Sequence, residues 1–238
     1  DDDEYEVRQL KMMDDSKFSA ISVAFDQAGL DYEIIYKGLY ILNVYEDSAA
    51  DGVIRAGDII VEVEQERITS TDRFQQLIEP VVDGKEIELV IDRAGKLLTE
   101  KITLKPIPGL KGQIGIGISY NELKTIKSDP HVDMATDDIG GPSAGLMFTL
   151  EILNQLLDED LTKGYDIAGT GEMYTDGTVG RIGGIEKKVV SAHEEKKDFF
   201  FVPEDEITEA MRERNPQVQS NYEAALATAK KIGTTMEI

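Results

Sequence analysis

The chain has no cysteine, no tryptophan and two histidines, and only 25 lysines and arginines stand against 47 aspartates and glutamates. Without cysteine there are no disulfides, no thiol nucleophile and no cysteine-bound zinc, although the compartment stays open. The net charge of −22 argues against a nucleic-acid partner, because phosphate backbones reward cationic side chains. It also disfavours adsorption to an anionic membrane surface. No apolar run approaches the roughly 18 residues that span a bilayer. No GxxxxGK[ST] phosphate loop occurs, so nothing supports ATP hydrolysis by these residues. His131 sits between Asp129 and Asp133 without a second histidine nearby, which gives a solvated loop rather than a metal site. No cofactor is called for.

What is present begins at 138–153, DIGGPSAGLMFTLEIL. Gly140, Gly141 and Pro142 make a tight turn in which glycine permits close backbone approach. Ser143 follows at once, and from Ala144 to Leu157 apolar residues cover nearly every face, the pattern of a core helix. A serine at a helix start faces unpaired N–H groups and the positive end of the helix dipole, both of which favour a developing oxyanion. The same position also suits an ordinary N-cap serine.

A second element is GTVGRIGGIEKKVVSAHEEKK, 177–197. At about 100° per residue, Ile185, Val189 and Ala192 form one stripe, with Lys188 on its edge and Lys187 on the solvated side. A lysine on a buried stripe is costly to keep charged, which favours its neutral amine as a base. It could equally lay its stem along apolar surface and reach water. His193 is turned about 80° from Ile185, a poor position for a Ser–His–Asp triad.

GGPSAGL, followed 45 residues after its serine by the second lysine of GGIEKK, resembles the serine–lysine dyad of the Lon proteases. The AGTGE segment at 168–172 resembles the family stretch whose threonine supports that lysine. The resemblance implies a hydrolase: Ser143 as nucleophile, Lys188 as base, Thr170 bonded to the lysine, and N–H groups of Gly140, Gly141 and Ser143 as oxyanion hole. The usual bacterial Lon motif has an aspartate where Gly140 stands, so any role of that carboxylate is absent or passes to Asp137 or Asp138.

Residues 5–29 read as an amphipathic helix ended by Gly29. Between 31 and 107 the signals are those of a small β domain. YKGLYILNV (36–44) and AGDIIVEVEQERI (56–68) carry strands, and a short helix runs from Thr71 to Glu79. Ile87, Leu89 and Ile91 alternate before the RAGK turn, and Leu98, Ile102 and Leu104 alternate after it. The order, with GLYI and AADGVIRAGDII, resembles a PDZ domain. That resemblance implies a peptide added as a strand beside Gly38, Leu39, Tyr40 and Ile41, with Phe74, Leu77 and Ile78 of the short helix lining the groove.

Pro106, Pro108, Gly109 and Gly112 make a linker. Beyond it, strands are expected at 113–119, within 128–141, at 167–172, 178–182 and 198–203, then a polar excursion over 204–219 and a helix over 221–231. The expected architecture is α+β: an N-terminal helical segment (1–30), a PDZ domain (31–107) and a Lon-type proteolytic α+β domain (113–238).

A PDZ domain ahead of a Lon-type domain resembles the SepM/YlbL group of Gram-positive bacteria. Those proteins carry an N-terminal membrane anchor and trim peptides or small proteins on the outer face of the membrane. The chain opens DDDEYE without methionine or a signal-like segment, which reads as a fragment whose anchor has been left off. The expectation is an ATP-independent endopeptidase acting on peptides or small proteins. Its link to the membrane runs only through that anchor. Lon-type domains often form rings, and a homo-oligomer fits the resemblance although no sequence feature demands one. The alternatives are a catalytically inactive PDZ scaffold and a Ser–His hydrolase.

Overall fold

The computed structural model describes residues 2–136 and 141–238. They divide into two compact units, one of residues up to 11 and 34–127, the other of 12–33 and 128–238. Helix α1 (Asp2–Ala28) contributes to both. Among the described residues no helix is long and apolar enough to cross a membrane.

The first unit is built on a mixed-length sheet with strand order β5-β4-β2-β1-β8, from β1 (Tyr32–Val44), β2 (Ile59–Val63), β4 (Glu86–Arg93), β5 (Lys96–Thr103) and β8 (Ile118–Ser128), while β3 (Glu66–Arg67) pairs off β2. The expected hairpin is there, running from Glu86 opposite Thr103 to Arg93 opposite Lys96. Its alternation has the physical meaning read from the sequence: Ile87, Leu89 and Ile91 are fully buried and their neighbours are not. Helix α2 (Thr71–Ile78) starts where Ser70 accepts from Arg73 N–H and buries Phe74. Short strands β6 (Lys105–Pro106) and β7 (Ile114–Gly115) pair across the predicted linker.

Strand β8 pairs within the first unit's sheet. The single strand expected at 113–119 is instead β7 (114–115), a break at Ile116 and Gly117, and the start of β8, which hydrogen-bonds to β1 and belongs to the first unit, which ends at 127. The backbone leaves nothing else at that place: Tyr45 N–H donates to Gly117 O, Ala50 N–H donates to Ile116 O, and Ile116 is buried in the first unit's core.

The second unit carries α3 (Gly145–Leu156), entered through a 3-10 turn (Pro142–Ala144). Strand β9 (Ile167–Gly169) pairs in parallel with β12 (Phe199–Phe201), and β10 (Glu172–Met173) forms a hairpin with β11 (Val179–Gly180). Helix α4 (Ile185–Glu194) lays Ile185, Val189 and Ala192 against Phe200, Ala225 and Ala229, the last two from α6 (Asn221–Ile232). A capping box of Ser220 and Glu223 starts α6. Two expectations need correcting. Residues 129–136 hold no strand. The polar excursion contains a short helix, α5 (Glu209–Arg214), which Thr208 starts by accepting from Met211 N–H. A polar composition hides such a helix because none of its side chains is buried.

Candidate active site

The two halves of the site reach each other through the AGTGE segment. Thr170 N–H donates to Phe201 O, extending the β9–β12 pairing by one rung. On its other side, Gly171 N–H donates to Ser143 O at 2.9 Å and Gly171 O accepts from Leu146 N–H at 3.0 Å. The first turn of α3 is thus stitched to a strand. Gly171 has to be glycine for this: a Cβ there would lie 2.5 Å from Val179 Cγ1 and 3.2 Å from Leu146 Cβ.

On this frame Ser143 and Lys188, 45 residues apart in sequence, come together, with Nζ 3.2 Å from Oγ. That is hydrogen-bond reach for a nucleophile and its base. Both side chains are half-buried, and Lys187 is exposed, in keeping with the stripe that carries Lys188. Helix α4 is launched from Gly184, whose left-handed backbone (φ 69°) lets the chain turn directly into it.

Thr170 does something other than expected. Its hydroxyl, 1% exposed, donates to the Ser143 carbonyl at 3.0 Å. A hydroxyl has a single proton to give, and here it goes to the backbone of the serine, so Thr170 holds the peptide group of the nucleophile. Gly141 sits at the head of the 3-10 turn with φ 81°. Gly140, Asp137 and Asp138 lie outside the described residues. His193 is exposed and its Nδ1 is 2.9 Å from Thr234 Oγ1; the residue that reaches Ser143 is Lys188. Among the described residues no three His, Asp or Glu groups are placed to hold a metal ion.

Sequence reasoning missed Asn221, which it treated only as a helix start. Its buried amide spans the Ile182 peptide groups, accepting from Ile182 N–H at 2.8 Å and donating to Ile182 O at 3.0 Å. This is a side-chain imitation of a strand rung, two residues before Gly184, and it fixes where α4 begins. The readable signal was the amide itself, a residue costly to bury unless paired on both ends. Asn221→Ala leaves two buried backbone groups unsatisfied, so we expect a loss of about 2 kcal/mol in unfolding free energy, measured by denaturant titration.

The expected peptide groove moves. Both edges of β1 are occupied, by β2 and by β8, and Leu39 and Ile41 are fully buried. At Gly38 a Cβ would lie 2.4 Å from Ile60 O, so that glycine serves close strand packing. Phe74 is core, and Leu77 and Ile78 pack partly buried around it. Strand β8 ends the sheet, and α2 faces it: Phe74 and Tyr120 meet edge to face at 5.5 Å, and Thr71 donates from both N–H and Oγ1 to Glu122 at 3.1 Å. The Lys124 ammonium and the Thr71 donors hold the Glu122 carboxyl below its usual range. Burial and that carboxylate push the Tyr36 phenol up to about 12, so it stays a neutral hydroxyl.

Residues 12–104 match the PDZ domain family, and residues 113–235 match the Lon protease (S16) C-terminal proteolytic domain. A Lon protease of Dictyoglomus thermophilum is 33% identical over 141 residues, covering 52% of this chain and 17% of that protein. A Lon protease of Acinetobacter baumannii is 27% identical over 126 residues, covering 53% of this chain and 15% of that protein. The chain therefore spans less than a fifth of the length of these curated relatives. Among solved structures, the PDZ domain of an SdrC-like protein from Listeria monocytogenes is 30% identical, covering 37% of this chain and 92% of that one, with a TM-score of 0.34. With its match covering residues 113–235, more than half of the 238, the chain belongs to the family of the Lon protease (S16) C-terminal proteolytic domain, and it carries a PDZ domain ahead of it.

Proposed function

We propose that the protein is an ATP-independent serine endopeptidase working through a Ser143–Lys188 dyad. The observation that carries this reading is the 3.2 Å approach of Lys188 Nζ to Ser143 Oγ. Ser143 Oγ attacks the carbonyl carbon of the scissile bond while the Lys188 amine takes its proton. The C–N bond then breaks as the same amine returns that proton to the leaving nitrogen, which leaves an acyl ester on Ser143. Water, deprotonated by Lys188, attacks the ester; the C–O bond to Ser143 breaks as the lysine returns that proton to Oγ, and the second product leaves. The oxyanion formed in each half is met by N–H groups of Ser143 and Gly141 at the head of α3, where the helix dipole adds to the attraction.

With no nucleotide-phosphate loop in these residues, the natural substrates are peptides or proteins already extended. The PDZ module selects among them by binding an extended segment. By the resemblance to membrane-anchored relatives, the place of action is the outer face of the cell membrane.

The test of the dyad's chemistry is acylation. Incubation with an activated peptide ester, without nucleotide, should add one acyl group, and peptide mapping by mass spectrometry should find it on Ser143. An adduct on any other residue ends this reading.

A further inference from the structure

Thr170 and Gly171 hold the carbonyl that follows the nucleophile along the chain. The carbonyl that precedes it, Pro142 O, accepts from Gly145 N–H and, at 3.3 Å, from Ser16 Oγ. Ser16 lies on α1, 126 residues earlier, outside the stretch that matches the Lon family. Residues 12–33 nonetheless belong to the same compact unit as the dyad. Met12, Ser16 and Ser19 share one face of α1, at helical spacing, and with Pro142, Met173 and Tyr174 they line a cavity of about 110 Å³. Ser16 is 3% exposed, and a Cβ placed on Gly145 would come within 2.9 Å of its Oγ. The hydroxyl is wedged against the start of α3.

A planar trans peptide aims its C=O and its N–H in opposite directions. Whatever fixes Pro142 O therefore fixes the direction of Ser143 N–H, the donor assigned above to the oxyanion. We propose that Ser16 is a positioning residue for catalysis: through the Pro142 carbonyl it aims the Ser143 amide at the developing oxyanion, which makes α1 a working part of the protease site. Ser16 and Thr170 are then two sides of one clamp, holding the peptide groups before and after the nucleophile. This inference rests on the dyad reading, and its test is arranged so that the two can fail separately.

The experiment measures kcat and KM on an internally quenched peptide, inhibition by a peptide boronate, and thermal unfolding. The tetrahedral boronate places an oxygen where the oxyanion forms, so it reports the aim of the amide. Ser16→Ala should lower kcat about tenfold, the worth of one hydrogen bond in a transition state. Boronate affinity should weaken by a similar factor, with KM and the thermal midpoint close to the parent values. Ser19→Ala, on the same face of α1 and the same cavity, is the control and should leave all four readings unchanged. A parent-like kcat in Ser16→Ala overturns the proposal. So does an equal loss in Ser19→Ala, or a loss of rate that tracks a fall in thermal midpoint without a change in boronate affinity. Parent-like cleavage by Ser143→Ala overturns the dyad reading instead.

Discussion

Alanine at Lys188 removes up to about 10⁴-fold from kcat/KM on an unstructured peptide, while alanine at Lys187 leaves it within twofold of the parent. General base catalysis contributes up to about that factor, and without a base the Ser143 hydroxyl is a poor nucleophile at neutral pH. The contrast between neighbours follows from the helix. Ile185, Val189 and Ala192 are buried by α6 and β12, which fixes the rotation of α4. That rotation sends Lys188 to Ser143 and Lys187 to solvent. Ser143→Ala should fall to the same floor. The double replacement should fall no further, because groups that act as one unit are not additive. A Lys188→Ala protein keeping more than a tenth of parent activity would exclude this lysine as the base.

Much of this site could be read from residues alone because its signals are local. The GGPSAGL turn, the stripe of α4 and the side of it that bears Lys188 all follow from backbone freedom and a 3.6-residue period. What stayed hidden is pairing at a distance. The alternation in QIGIGIS marks strand-forming residues, but a period of two shows neither the break at Ile116 and Gly117 nor which strand lies alongside. Local alternation therefore leaves open the edge of β1 that β8 fills. Thr170 illustrates the same limit at the scale of one proton. A buried threonine must bond something, and only the fold decides that it is Ser143 O at 3.0 Å. Asn221 and Ser16 act across 39 and 126 residues, through single hydrogen bonds that leave no periodic trace.

The second large effect is expected at Gly145, two residues beyond the nucleophile and buried. A methyl group there would sit 2.8 Å from Met173 N, 2.9 Å from Ser16 Oγ and 3.0 Å from Met173 Cβ. Met173 has little room to retreat, since it is paired with Val179 in the β10–β11 hairpin and is itself 5% exposed. The first turn of α3 has to yield instead, by several tenths of an ångström, and Ser143 moves with it because Gly145 N–H is bonded to Pro142 O across the 3-10 turn. A misplacement approaching 1 Å costs on the order of 100-fold in rate, whereas overpacking of this kind lowers stability by only about 1 to 3 kcal/mol. Gly145→Ala should therefore lose about 100-fold in kcat while remaining folded at room temperature by circular dichroism. Acylation of Ser143 by an activated ester should slow in parallel. If the variant instead cleaves at the parent rate, α3 can shift without carrying the hydroxyl along, and the close packing of helix against hairpin is not what aims Ser143 at Lys188.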